Sequence, residues 1–258
     1  MNKEKQNHII NYLKKNTRYD GRKKEDYRKI SVETGLIKSA EGSAKVIMGD
    51  TEVIAGVKFE VGEPYPDSPD AGTMMVNVEL LPISNPEFEA GPPKIQSIEL
   101  ARVVDRGVRE SGAIDYKKLC IKEGELVWTV IVDITPINAA GNLFDASALA
   151  TLLAIKDTKM PELEGNKINY KKLTKQKLPM TSEPISVTVL KIGEHYVVDP
   201  IEDEEEVLDA RLTVAVTKDD TICAMQKGGE NPLTVKDIDG MIDLATKKAK
   251  ELRKYVKG

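Results

Sequence analysis

The sequence predicts an α+β protein made of two successive units, each a mostly antiparallel or mixed sheet with helices packed on it. Three observations predict this. Separate runs with strand character recur between residues 31 and 81 and again at 126–134, and helical patterns accompany them at 95–111 and 144–155. The same order of elements, strands and then a helix, restarts at residue 185. Between the two, residues 157–184 are Lys- and Pro-containing with little periodicity, and read as a connector. The 258 residues suit one large domain or two ordinary ones. A chain of this size buries roughly 70–75% of its unfolded surface, so it needs no disulfide or metal to hold it together.

Residues 3–15 read as a short amphipathic helix with Ile9, Ile10 and Leu13 on one side. They form an extension, 1–17, ahead of a first unit spanning 18–156. Asp20-Gly21 marks a turn. Residues 31–36 alternate, 44–48 and 53–59 are rich in β-branched side chains, and 74–81 is a nearly continuous apolar run. Three Pro and two Gly make 62–72 a loop, and 82–93 is another. Residues 126–134 form a strand that ends at Pro136, and 144–155 a buried helix. After the connector, 185–192, 196–198, 212–216 and 222–226 read as strands of a second unit, 185–258. A final helix shows apolar residues at Val235, Ile238, Ile242, Ala245, Ala249, Leu252 and Val256, steps of three and four that build one face. Thr234 is placed to cap it, with Asp237 three residues on.

Composition excludes several classes. Two cysteines, Cys120 and Cys223, imply no disulfide framework, and a reducing cytoplasm is expected. With His8 and His195 they show no metal-ligand spacing, so neither a metal nor a cofactor is expected. No apolar run approaches the roughly 18 residues of a membrane span, and the N-terminus lacks a signal-peptide core. Lys and Arg total 38 against 42 Asp and Glu, which excludes a uniformly basic nucleic-acid binder. Charge is local instead. Residues 1–30 carry ten bases and four acids, 156–177 seven and three, and 199–209 seven acids and no base. The last of these reads as a solvated acidic loop, with a metal or general-acid site as the alternative. Asp209 stands apart because it opens a strand.

The helix at 95–111 holds the most informative pattern. At about 100° per residue, Arg102, Arg106 and Arg109 share one edge, opposite Leu100, Ala101, Val103, Val104 and Val108. Three planar guanidinium forks on one edge suit successive phosphates. Equally, Glu99 stands three before Arg102 and Asp105 four before Arg109, so the arginines could simply pair along a wet face. At roughly 1.5 kcal/mol per charged hydrogen bond, three arginines supply about 4–5 kcal/mol, a Kd near millimolar. The edge alone would hold a polyanion weakly; repetition around an oligomer would change that. Gly141-Asn142 and Gly228-Gly229 fall near helix starts but match no nucleotide-binding pattern. Neither histidine sits in a context that supports a Ser/His/Asp hydrolase.

Arg18-Tyr19-Asp20-Gly21-Arg22, Gly42-Ser43-Ala44-Lys45-Val46-Ile47-Met48-Gly49-Asp50-Thr51, Ser97-Ile98-Glu99-Leu100-Ala101-Arg102-Val103-Val104-Asp105-Arg106, Asp145-Ala146-Ser147-Ala148-Leu149 and Met225-Gln226-Lys227-Gly228 occur in this order. Each is weak alone, but order and spacing together are specific. From about Arg18 onward the chain resembles the RNase PH-like phosphorolytic exoribonucleases, and within them the non-catalytic ring subunits of archaeal exosomes. The resemblance implies two similar RNase PH-like halves and a heterodimer with a catalytic sister subunit. Three heterodimers would close a six-membered ring under a trimeric RNA-binding cap, and single-stranded RNA would be degraded 3′ to 5′ with inorganic phosphate.

The resemblance also implies that this chain lacks the chemistry. Active members carry an Arg pair where Ile95 and Gln96 stand. They carry a Gly-Ser/Thr-Arg turn, which seats phosphate at a helix N-terminus, where Gly141-Asn142-Leu143 stands. Leucine offers a phosphate neither donor nor charge. Asp209 matches the family's general-acid aspartate, but lacks a phosphate cradle to work with. The expectation is a subunit that shapes its partner's active site and lends Arg102, Arg106 and Arg109 to RNA. Two alternatives stay open: an autonomous phosphorolytic exoribonuclease built around Asp209, and a ring spacer without RNA contact.

Overall fold

The computed structural model describes residues 3–256 and places two main sheets, with helices between and outside them, as successive layers, beside a third sheet of two strands. The elements are α1 (Lys3–Leu13), β1 (Ile30–Thr34), β2 (Gly42–Met48), β3 (Thr51–Gly62), β4 (Thr73–Val78) and α2 (Ile95–Glu110). Then come β5 (Cys120–Lys122), β6 (Leu126–Asn138), α3 (Leu143–Asp157), β7 (Lys159–Glu164) and β8 (Lys167–Lys177). The rest are β9 (Ile185–Ile192), β10 (His195–Val198), α4 (Glu202–Glu205), β11 (Ala210–Val216), β12 (Ile222–Gly228) and α5 (Val235–Leu252).

The first sheet runs β1-β2-β3-β6-β4, with β5 on the end of β6; only the β4–β6 pair is parallel. Its strands alternate buried and half-exposed residues: in β3, Val53, Ala55, Val57 and Phe59 are fully buried. Strands with one buried face need that period. The second sheet is antiparallel throughout, in the order β10-β9-β11-β12. Helices α2 and α3 lie between the sheets, and α5 covers the far face of the second. This position explains α3, whose residues Ala146 to Ile155 are buried apart from Ala148: a helix with a sheet on either side must be apolar nearly all round.

Four expectations change. Strand β6 does not stop before Pro136 but continues to Asn138. Its parallel neighbour β4 pairs only as far as Ile134, and the register with β3 slips between Glu52 and Val53. Pro136 therefore sits where one side of the strand is unpaired and the ladder is bulged, which offsets its missing N–H. The stretch read as an aperiodic connector contains the β7–β8 hairpin. The apolar face of α5 is broader than expected and starts later: Ala245, Ala249, Leu252 and Val256 are buried and Ile238 and Ile242 pack against the core, but Val235 is 76% exposed, and Met241, Leu244 and Lys248 join the buried face. Lys248 belongs to that face because its stem is buried while its ammonium stands 5.5 Å over the Tyr27 ring. Finally, the strand expected at 196–198 begins one residue earlier, at His195.

Helix α1 crosses to the second sheet. Ile9 and Leu13 pack with Leu190, Ile192, Val197 and Val207 in a cluster separate from the main core. Among the described residues no helix is long and apolar enough to cross a membrane.

Candidate nucleic-acid interface and the adjoining cleft

Helix α2 buries Leu100, Val103, Val104, Gly107 and Val108 and leaves Arg102, Arg106 and Arg109 exposed, the edge that the 100° spacing predicts. The three arginines are not equivalent. Arg109 donates to both Asp105 carboxylate oxygens, Nε at 3.1 Å and Nη2 at 2.8 Å, and Nη2 also reaches the Met74 carbonyl at 2.9 Å. Arg109 thereby ties α2 to β4. Arg102 and Arg106 make no hydrogen bond or ion pair among the described residues. The Glu99–Arg102 pair that spacing allowed does not form: Glu99 instead accepts from Arg211 of β11.

Next to this helix lies an open cleft of 310 Å³ where the N-terminal ends of α2 and α3 approach β11; Gln96, Glu99, Leu143, Phe144, Glu205 and Arg211 line it. At the N-terminus of α3, Gly141 (φ 87°) and Asn142 (φ 56°) take left-handed conformations. A Cβ on Gly141 would lie 2.4 Å from the Pro200 carbonyl oxygen, so only glycine lets the two halves meet there. The Asn142 amide nitrogen donates to Glu205 Oε1 at 2.9 Å. A carboxylate of the chain itself thus takes a donor at the helix N-terminus, where anions are favoured. Burial pushes Glu205 up to about 7, against the pull of the Asn142 N–H and of Arg211 and Arg28.

Behind this turn is a buried polar network. Asn142 Nδ2 donates to Asp199 Oδ1 at 2.9 Å and to Asp145 Oδ2 at 3.2 Å. Asp145 also accepts the Thr188 N–H at 2.7 Å, which ties α3 to the second sheet; burial raises its carboxyl to about 7. Burial would raise Asp199 too, but Arg28, bonded to both its oxygens, holds it below the usual carboxylate range. Arg22 reaches the same carboxylate at 2.9 Å. Arg18 is 1% exposed; its guanidinium bonds both Glu204 oxygens and the carbonyls of Val198 and Asp199.

The acidic stretch is therefore not a plain solvated loop. Asp199 and Glu204 are buried with arginine partners, and Glu205 caps α3. Asp209 does not line the cleft. Its carboxylate accepts from Gly193 N at 2.6 Å, Asn231 Nδ2 at 2.9 Å and Gln6 Nε2 at 3.1 Å, which is turn-bracing. The side chain of this strand that does reach the cleft is Arg211. It went unnoticed, though a lone guanidinium in the apolar run Ala210 to Val216 was the available signal. Ile95, 83% exposed, and Gln96 open α2 behind Lys94; Gln96 lines the cleft, where Arg211 is the one cation among the described lining residues.

The two α+β units, with the turn at the head of α3 between them, form an RNase PH-like fold. The comparisons agree. A model of the 3′ exoribonuclease family, domain 1, matches residues 26–161, and one of domain 2 matches 182–248. The chain belongs to this family. It is 45% identical over 250 residues to the exosome complex component Rrp42 of Methanothermobacter thermautotrophicus, covering 96% of this chain and 92% of that one. The Rrp42 of Methanocella arvoryzae is 46% identical over 257 residues, covering 98% and 96%. Among solved structures, a chain of the Archaeoglobus fulgidus exosome with RNA bound to the active site superposes with a TM-score of 0.90 at 46% identity, covering 98% of this chain and 97% of that one. A chain of an archaeal exosome core gives 0.87 at 44%, covering 99% and 97%.

Proposed function

We propose that this chain is a non-catalytic core subunit of an exosome, a 3′-to-5′ RNA-degrading complex. It pairs with a catalytic RNase PH-like sister, shapes the sister's active site and lends Arg102 and Arg106 to single-stranded RNA. Three such heterodimers would form the ring, with RNA-binding subunits as a trimeric cap. The observation that carries the reading is the N-terminus of α3: a phosphate would find Leu143 there, and the Asn142 N–H already taken by the Glu205 carboxyl, a hydrophobe and an occupied donor instead of a cation. The family membership and the similarity to Rrp42 chains support the assembly. Arg109, engaged by Asp105 and Met74, serves to brace α2 and meets RNA only secondarily.

The test is phosphate-dependent trimming of a labelled RNA by the chain alone and with the catalytic partner. Trimming is expected only with the partner, and phosphorolysis by the lone chain overturns the reading. In the complex, Arg102→Glu with Arg106→Glu should weaken RNA binding and lower the slope of log K against log salt by about 1.4, two single-strand phosphates' worth. An unchanged slope would reduce the chain to a spacer.

A further inference from the structure

We propose that Arg211 keeps Arg102 open for RNA by holding Glu99 away from it; this rests on the RNA-binding reading above. Two acids stand within reach of Arg102 on its own helix, Glu99 three residues before and Asp105 three after, and residues at that spacing are neighbours on a helix surface. Both are already engaged by other arginines. Asp105 is taken by Arg109. Glu99 is taken by Arg211, which comes from a different sheet and whose side chain is only 15% exposed, against 42% for Glu99.

The seat of Arg211 is built for the purpose. Its guanidinium lies 4.3 Å from the centroid of the Phe144 ring on α3, a cation–π contact. Its other neighbour is Gly228, its register partner on β12, where a Cβ would stand 2.4 Å from Arg211 Cζ and 2.6 Å from both Nη atoms. Any side chain at 228 would displace the guanidinium, which gives the Met225-Gln226-Lys227-Gly228 motif a physical reason for its glycine. A planar fork held between a ring and a glycine loses little freedom on pairing. A flexible, exposed Arg102 must immobilise itself to compete for the same carboxylate. Arg102 and Arg106 meanwhile stand four apart with like charge, mildly unfavourable by itself, and an unheld Glu99 would relieve that strain at the expense of the RNA surface.

The experiment uses the complex with the catalytic partner and a fluorescently labelled single-stranded oligoadenylate, titrated at several salt concentrations. Arg211→Met is expected to weaken binding about two- to tenfold and to lower the salt slope by about 0.7, one phosphate's worth. Gly228→Ala, which leaves Arg211 in the chain but crowds its seat, should do the same. Adding Glu99→Gln to either variant should restore affinity and slope. A loss that Glu99→Gln does not restore overturns the proposal, as does wild-type binding by Arg211→Met. If Arg102→Glu with Arg106→Glu also changes nothing, the RNA-binding reading itself falls; if that pair weakens binding while Arg211→Met does not, only this inference falls.

Discussion

Glu205 carries its proton to a pH at which an ordinary glutamate has lost it, because burial beside α3 penalises its charge. Below its ordinary value of 4.5 both the folded and the unfolded chain hold the proton, and the residue is neutral to stability. Between 4.5 and about 7 the unfolded chain releases the proton and the folded chain keeps it, so stability falls as pH rises through this window. Glu205→Gln keeps an acceptor for the Asn142 N–H and removes the titration. Its stability relative to wild type should therefore improve by about 1–2 kcal/mol between pH 5 and pH 8, measured by urea unfolding. Asp145 titrates in the same range but does so in both proteins and cancels from the difference. A variant that loses ground toward pH 8 would contradict this account. None of it was legible in the run Glu202 to Glu206, where consecutive acids look alike until the chain's path separates buried Glu204 and capping Glu205 from the exposed Glu202 and Glu206.

Elements were read best where one face alone meets the core. The period-two strands and the α2 stripe are of that kind, and β9 falls on the residues expected for it. The N-cap of α5 is another local signal that the structure repeats: Thr234 Oγ1 accepts the Asp237 N–H at 3.1 Å and Asp237 Oδ2 accepts the Thr234 N–H at 2.9 Å. Thr234→Ala should cost about 1 kcal/mol in chemical denaturation. Asp237→Ala should cost more, since that carboxylate also holds Lys191 at 2.7 Å and the Tyr196 hydroxyl at 2.9 Å. The reverse ranking would mean that the cap, not the tie to the second sheet, dominates. The β7–β8 hairpin escaped because it is nearly two-sided polar. Met160 and Pro161 are buried at its base, Leu163 and Ile168 are partly buried, and the lysines that fill β8 supply no alternation. Two polar strands joined at Gly165 carry no period for a sequence to show.

At the scale of the whole molecule, the segment before the first sheet belongs to the second half. Helix α1 packs on Leu190, Ile192 and Val197, and the Arg18-Tyr19-Asp20-Gly21-Arg22 motif then fixes the chain against the start of the acidic stretch. The motif was visible as a family mark, but its use was not, because its partners Val198, Asp199 and Glu204 lie some 180 residues away. Arg18 and Glu204 form a fully buried ion pair, and such a pair is weak net support yet costly to break from one side. Arg18→Met should destabilise the protein by about 3–5 kcal/mol, since it leaves the Glu204 carboxylate buried with only the Ile201 N–H, at 3.0 Å, to answer its charge. Replacing both, Arg18→Met with Glu204→Met, removes the stranded charge and should recover most of the loss; urea midpoints of the two single variants and the double close the cycle. If the double variant is as unstable as the single, the value of the pair lies in the carbonyls that Arg18 gathers from Val198 and Asp199. The guanidinium's role would then be to shape the chain entering α4, and with it the placement of Glu205 at the head of α3.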